Sequence, residues 1–66
     1  MKIIIKHEKK ELELRGPETV IDLLKELDFK REEVLVIDTE SGKLLPPWEK
    51  LRGNETIEIR KVISGG

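Results

Sequence analysis

Only one stretch of this 66-residue chain has the hydrophobic spacing of an α-helix, and this limits how the rest of the chain can be covered. The apolar residues of TVIDLLKEL recur at i, i+3, i+4 and i+7 and therefore share one face. They are Val20, Leu23, Leu24 and Leu27. Thr19 is suited to cap the helix start, with Asp22 three residues later. A helix of about eight residues is marginal alone, so we expect it to lie across a sheet that buries its apolar face.

Two segments of alternating residues open the chain and predict a β-hairpin. In MKIIIKH, Met1, Ile3 and Ile5 share an apolar face, and in ELELR, residues 11–15, leucines alternate with charged residues. The inward residues are odd-numbered in the first strand and even-numbered in the second. If the two apolar faces coincide, the numbers of two residues that lie opposite each other must therefore add to an odd number. The expected pairs are Ile5 with Leu12, Ile3 with Leu14, and Lys6 with Glu11. This register leaves Glu8 and Lys9 as the turn.

A third strand is predicted at residues 34–37, where four apolar residues stand together. Such a run does not reveal its inward face, so two alternatives stay open. The inward pair is either Val34 and Val36 or Leu35 and Ile37. A turn containing Ser41 and Gly42 then leads to a brief return strand at residues 44–45, which the following two prolines end.

A last strand over residues 55–63 has Ile57 and Ile59 facing inward and Glu58 and Arg60 facing outward. One short helix cannot cover both faces of a sheet, so we expect an α+β fold. The sheet should be mixed, with four to five strands, and the helix should pack across one face. The first strand is the best candidate for a central position, and the last strand is its natural parallel neighbour.

The charge balance and the lack of cysteine restrict the possible functions. Thirteen basic and fourteen acidic residues give a net charge of −1, so the summed field favours neither nucleic acid nor an anionic membrane. Without cysteine there is no disulfide framework, thiolate zinc site or cysteine nucleophile. The apolar run near Met1 is far too short for a signal peptide or a membrane span. We expect a cytoplasmic protein that is monomeric when free and has no bound metal or cofactor.

No constellation of residues in the sequence predicts a catalytic site, so we expect a protein that is not itself an enzyme. His7 is the sole histidine and adjoins the expected turn, where a solvated role is favoured over that of a general base. Carboxylates alternate outward along the strands, whereas acid–base pairs need burial. The glycines of GPET and ESGK stand singly, unlike those of a phosphate-binding loop. Trp48 is expected to cover the edge of the core rather than to stack on a ligand.

Basic residues on and near the last strand form a candidate docking site. They are Arg52, Arg60 and Lys61. Two interpretations remain open at this point: an ordinary solvated face, or a docking surface for an acidic partner.

The sequence ends in Ser64, Gly65 and Gly66, and this ending predicts a reactive group on the main chain. We expect a domain over residues 1–63 and a flexible tail over residues 64–66. Extended, the tail spans about 10 Å, and glycine neither blocks a narrow channel nor restricts the backbone within it. The terminal carboxylate has a pKa of about 3.5, so it is ionised at neutral pH. It can attack the α-phosphate of ATP on a partner enzyme, and a sulfur donor or an amine can then capture the acyl-adenylate.

With these features the chain resembles the ubiquitin-like β-grasp sulfur carriers, the ThiS/MoaD-like family, together with their archaeal small modifier relatives. The resemblance covers essentially the whole chain, from MKIII through TVIDLLKEL to IEIRKVISGG. Its most specific part is the helix motif followed, later in the chain, by a strand that runs directly into Gly-Gly. By length the chain is more similar to ThiS than to MoaD.

The resemblance implies adenylation of Gly66 by a ThiF/MoeB-like activating enzyme that consumes Mg-ATP, followed by conversion to a thiocarboxylate. A sulfur-accepting synthase would then use the sulfur for thiamine thiazole, molybdopterin or transfer-RNA thiolation. The alternative is a ubiquitin-like modifier conjugated through Gly66 to lysines of target proteins. The outward Glu58 and Arg60 differ from the exposed apolar patch of ubiquitin, which argues against a ubiquitin-style receptor network. A third possibility is a β-grasp interaction module with an incidental tail.

Overall fold

The computed structural model describes residues 1–62 and contains one mixed sheet and one α-helix. The elements are β1 (Lys2–Ile5), β2 (Lys10–Glu13), α1 (Val20–Glu26), β3 (Val34–Asp38) and β4 (Thr56–Lys61). The strand order is β2-β1-β4-β3, in which β1 and β4 are parallel and the other two pairs are antiparallel. This confirms the predicted α+β architecture, a small β-grasp fold with β1 and β4 as central parallel neighbours.

The apolar face of α1 and the inward face of the sheet form one core. Its buried members are Met1, Ile3, Ile5, Val20, Leu23, Leu24, Val34, Val36, Ile57 and Ile59. The alternative left open for β3 is thereby decided, because Val34 and Val36 are buried whereas Leu35 is 42% exposed. The inward placement of Ile57 and Ile59 is confirmed.

The start of α1 has the predicted cap. Thr19 adopts an extended conformation, and its Oγ1 accepts a hydrogen bond from the Asp22 N–H at 3.3 Å. The same hydroxyl donates to the Asp22 carboxylate at 2.9 Å. One orphan N–H of the first turn is thus satisfied, and the acidic residue lies near the positive end of the helix dipole.

The expected register of the hairpin is wrong. The pairs Ile5 with Leu12, Ile3 with Leu14, and Lys6 with Glu11 do not form. Instead Ile3 lies opposite Leu12, and Ile5 lies opposite Lys10. The predicted parity is confirmed, because the apolar faces of the two strands still coincide.

The cause of the shifted register is the connection between β1 and β2. A 3-10 turn over Lys6–Glu8, followed by Lys9 in the left-handed region at φ 52°, joins the strands. A two-residue turn at Glu8 and Lys9 would need residues that readily adopt positive φ, and neither is glycine or asparagine. The observed connection contains residues 6–9 instead of two residues, so Ile5 pairs with Lys10 instead of Leu12.

The expected return strand at residues 44–45 is reduced to a single bridge between Ile37 and Leu44. Leu45 donates its N–H to the Val36 carbonyl at 2.8 Å, after which pairing ends. The next residue whose N–H would face β3 is Pro47, which has no N–H, so the ladder does not continue to the Val34 carbonyl. The last strand is also shorter than expected, and Ile63 lies outside the described residues.

Candidate functional site

Four basic residues meet where the parallel strands β1 and β4 end. The two strands pair Ile3 with Ile57 and Ile5 with Ile59, so the residues that follow β1 lie beside the last two residues of β4. They line an open cleft of about 370 Å³. We call them the cationic cluster: Lys6, His7, Arg60 and Lys61.

The charges in this cluster are unequally neutralised. Arg60 forms an ion pair and a hydrogen bond with Glu58, whose side chain is only 14% exposed. Lys6 and Lys61 form no ion pair within residues 1–62. The cluster therefore presents positive charge that can bind carboxylate or phosphate groups, and its two lysines make no ion pair of their own within residues 1–62.

The His7 side chain is partly shielded from solvent. His7 lies in the 3-10 turn, as expected from its sequence position, but its side chain is only 25% exposed. Its ring packs at 5.6 Å from the Phe29 ring, centroid to centroid, with the planes tilted by 60°. Its Nε2 atom lies 3.6 Å from the partly exposed carboxylate of Glu8. This arrangement favours a packing and binding role over that of a general base, which needs a group that orients it within a pocket.

Arg52, the third of the predicted docking residues, is not part of the cluster. It belongs to the turn that precedes β4, whereas Arg60 and Lys61 lie at the other end of that strand. The Glu55 carboxylate accepts hydrogen bonds from the backbone N–H groups of Arg52 at 2.6 Å and Gly53 at 2.8 Å. Partial burial opposes ionisation of Glu55, but these bonds and the Arg52 charge outweigh it and hold the pKa of Glu55 below its ordinary value.

The expectation that Trp48 covers the edge of the core is wrong, because Trp48 is 75% exposed. The main chain on either side of this residue makes the contacts instead. The Pro47 carbonyl accepts the Ile21 N–H at 2.9 Å, and the Glu49 carbonyl accepts the Val20 N–H at 3.0 Å. Two orphan donors of the first helical turn are satisfied in this way, which fixes the segment while the indole remains in solvent.

Two further findings bear on the chemistry. Within residues 1–62, no group of three or more histidine or acidic residues is arranged to hold a metal ion. Over the same residues, no helix has the length and apolar character needed to cross a membrane. The proposed reactive end, Ser64, Gly65 and Gly66, lies outside the described residues.

Sequence reasoning missed Lys6 and His7 as partners of Arg60 and Lys61. A usable signal was present, because both strands contain the pattern Ile-x-Ile followed by two basic residues, IIIKH in the first and IEIRK in the last. Aligning these patterns in parallel gives the observed register and places the basic pairs side by side.

Comparison with known proteins adds no assignment to this geometry. The sequence matches no protein-family model and no curated protein.

Proposed function

We propose that this chain is a sulfur carrier whose Gly66 carboxylate is adenylated and then converted to a thiocarboxylate. The main supporting observation is the position of β4. This strand is hydrogen-bonded to β1 on one side and β3 on the other, and its carboxyl end meets the cationic cluster. In sequence, residues 63–66 follow within a few positions of that end. A partner that docks at the cluster would thus lie close to where the reactive segment begins.

The chemistry requires only the main-chain carboxylate of Gly66 and groups supplied by the partner. A carboxylate oxygen attacks the α-phosphorus of ATP, and pyrophosphate leaves with the electrons of the broken P–O bond. A donor at the oxidation level of sulfide then attacks the acyl carbon. AMP departs, and one oxygen of Gly66 has been replaced by sulfur without any net oxidation or reduction. The thiocarboxylate is a nucleophile that a sulfur-accepting synthase can use for a thiazole, a molybdopterin or a transfer-RNA base.

The cationic cluster supports recognition of the activating enzyme, which we propose to be ThiF/MoeB-like. Exposed charges at the rim of an interface mainly accelerate association and make it sensitive to salt. Lys6 and Lys61 are suited to this role because they have no ion-pair partner within the described chain. We therefore propose that the cluster faces an acidic surface of the enzyme, and that Arg52 lies outside the contact.

The direct test is incubation with a ThiF/MoeB-like enzyme, Mg-ATP and sulfide, followed by intact-mass measurement. The expected product carries the mass change of one oxygen-to-sulfur replacement, located at Gly66 by fragmentation. A chain lacking Gly65 and Gly66 is the control and should give no product. It should unfold at the same temperature as the full chain, because the ten buried apolar core residues precede position 60. Absence of the sulfur-containing species with an enzyme that is active on its own carrier would contradict the proposal.

The same acyl-adenylate can react with a lysine amine, which would make the chain a protein modifier. Digests of cellular proteins distinguish the two fates. Cleavage after Lys61 by trypsin would leave the remnant Val-Ile-Ser-Gly-Gly on a modified lysine, and lysines that carry this remnant would support conjugation. A thiocarboxylate without such lysines would support sulfur transfer alone.

Docking at the cluster predicts a localised charge effect. The double variant Lys6→Gln/Lys61→Gln should slow adenylation at limiting enzyme concentration by about fivefold to tenfold at low salt, and the difference should shrink as salt is added. The matched control is Lys50→Gln/Arg52→Gln, which also removes two exposed basic residues but none that line the cleft. Equal effects of the two double variants would show that net charge, and not the cluster, governs association.

A further inference from the structure

β3 is an edge strand with part of its backbone left open. Hydrogen bonds from Val62 N–H to Glu33 carbonyl and from Thr39 N–H to Thr56 carbonyl show that the odd-numbered residues along β3 pair with β4. The even-numbered residues therefore direct their N–H and C=O groups to the outer edge. At that edge, the Leu45 N–H donates to the Val36 carbonyl, and the Asp38 N–H donates to the Lys43 carbonyl.

The pairing at this edge stops halfway along the strand. Beyond Leu45 the chain continues as Pro46 and Pro47, which have no N–H to donate. Within the described residues, no hydrogen bond engages the N–H of Val36 or the C=O of Val34. These two groups lie on the same edge and are spaced to receive a short extended segment.

An apolar groove of about 310 Å³ lies beside this open edge. It runs between α1, β3 and the segment at residues 44–47, and we call it the β3 groove. The side chains that line it are Val20, Leu24, Val34, Leu35, Val36, Leu44, Leu45, Pro46, Pro47 and Arg31. Two of them are unusually exposed for their type, Leu44 at 62% and Leu35 at 42%. An added strand would place alternate side chains in this groove.

The positive charge of Arg31 in the groove indicates that the bound segment carries an acidic residue. Arg31 is the sole charged residue among the described residues that line it. Its only ion-pair contact within residues 1–62 is with Glu32 at 3.7 Å, between side chains that are 58% and 73% exposed. Such an exposed contact is weak, so the guanidinium is available to a carboxylate of a bound peptide.

We propose that the β3 groove binds an extended segment of a partner protein by strand addition. The segment carries β-branched apolar side chains for the groove, followed by an acidic residue for Arg31. Addition antiparallel to β3 is favoured per residue, and it places the acidic residue at the carboxyl end of the segment, beside the start of β3. The groove adjoins the cationic cluster, because Val34 lies opposite Lys61, but strand addition at this edge does not depend on the sulfur-carrier proposal.

The probe is the peptide acetyl-SVIVDE-amide, titrated into the full-length ¹⁵N-labelled protein and followed by amide NMR. We expect saturable shifts at Val34 and Val36, together with slower hydrogen exchange of the Val36 N–H. Two further peptides each carry a single N-methyl group in the apolar part of the sequence. In the first peptide one backbone amide is methylated, and in the second peptide the next amide along the chain is methylated. Alternate amides face the partner strand, so one methylated peptide should lose binding and the other should retain it.

Variants of the protein test the two side-chain contributions. Arg31→Gln should weaken binding about fivefold, as expected for loss of an exposed ion pair. Leu44→Ser should weaken it by about fivefold or more, because it removes apolar surface from the wall of the groove. Matched controls outside the groove, Arg15→Gln and Val62→Ser, should leave the affinity unchanged.

Three outcomes would each overturn the proposal. The first is the absence of saturable shifts at Val34 and Val36 up to about 1 mM peptide. The second is equal binding of both methylated peptides and the parent peptide, which would indicate nonspecific apolar contact. The third is the appearance of the same shifts when the protein alone is concentrated, which would make a second copy of the chain the occupant.

Discussion

At the scale of single residues, Glu55 organises the approach to β4. Its carboxylate accepts the N–H groups of Arg52 and Gly53, and its own carbonyl accepts the Lys2 N–H at 3.0 Å. Gly53 takes a φ of 104°, which few other residues tolerate, so the turn is specific in both its backbone and its hydrogen bonds. The side chain therefore links the irregular segment at residues 46–54 to the central strand pair.

The lowered pKa of Glu55 predicts a pH dependence of stability. Since the folded-state pKa is below the ordinary glutamate value of about 4.3, the ionised carboxylate stabilises the fold above that value. The contribution disappears as the pH falls through the lower folded-state pKa. Glu55→Gln should reduce the free energy of unfolding by about 1 kcal/mol or less at pH 7, because solvent screens a partly exposed group.

Denaturant titrations at several pH values check this expectation. The difference between wild type and Glu55→Gln should shrink below about pH 4. Glu49→Gln is the control, because the Glu49 side chain makes no hydrogen bond or ion pair within residues 1–62. A Glu55→Gln effect that stayed constant down to acidic pH would contradict the role assigned to the charge.

Trp48 shows at the same scale where residue type misleads. A tryptophan in a small protein with one other aromatic residue, Phe29, is expected to join the core on hydrophobicity alone. The helix start instead requires hydrogen-bond acceptors, and the Pro47 and Glu49 carbonyls supply them. Satisfying these backbone donors fixes the path of the chain, and the indole is left in solvent.

At the scale of elements, the hairpin separates what periodicity can predict from what it cannot. Alternation fixed which residues of β1 and β2 share a face, and the structure confirms that parity. The exact pairing depended on the number of residues in the connection, and a 3-10 turn over Lys6–Glu8 has no strong sequence signature. The error of two residues therefore came from the turn and not from the strands.

The end of α1 is a Schellman motif with an aspartate in the position usually held by glycine. Asp28 has a φ of 61°, its N–H bonds to the Lys25 carbonyl at 3.1 Å, and the Phe29 N–H bonds to the Leu24 carbonyl at 2.9 Å. Aspartate tolerates this left-handed conformation better than most residues but less well than glycine. Its negative charge also lies near the negative end of the helix dipole.

This motif predicts a stabilising substitution. Asp28→Gly should raise the free energy of unfolding by about 0.5–1 kcal/mol, because it removes the left-handed strain and the unfavourable charge. This net gain already allows for the greater conformational entropy that glycine gives the unfolded chain. Asp28→Asn separates the two causes and should gain only about 0.3 kcal/mol, the charge contribution. Thermal and denaturant unfolding measure both variants. A loss of stability in Asp28→Gly would mean that the aspartate makes a compensating interaction.

At the scale of the whole molecule, the sequence determined the architecture more completely than the functional surface. One helical segment among alternating strands was sufficient to predict a mixed sheet covered on one face, with parallel central strands. The cationic cluster was only half predicted, because Lys6 and His7 join Arg60 and Lys61 through a register between distant strands. The end of the return strand at the two prolines was predicted, but the β3 groove was not, because its walls come from α1, β3 and residues 44–47, which only the tertiary fold brings together.

The small size of the core makes the contact between helix and sheet decisive for stability. A protein of this size has about 3–10 kcal/mol of folding free energy, and Leu23 is fully buried at the centre of the apolar face of α1. Leu23→Ala should cost about 3 kcal/mol through lost burial and the cavity left behind. That loss is a large fraction of the total, so part of the population should be unfolded at elevated temperature.

Far-UV circular dichroism is the suitable probe for this loss, because the exposed Trp48 should change its fluorescence little on unfolding. Leu23→Met, which nearly conserves volume, should cost less than about 1.5 kcal/mol and remains measurable if the alanine variant fails to fold. Leu44→Ala at the exposed rim should change the free energy of unfolding by less than about 0.5 kcal/mol. A cost for Leu23→Ala as small as that of Leu44→Ala would mean that α1 is not held by the apolar face on which the fold was predicted.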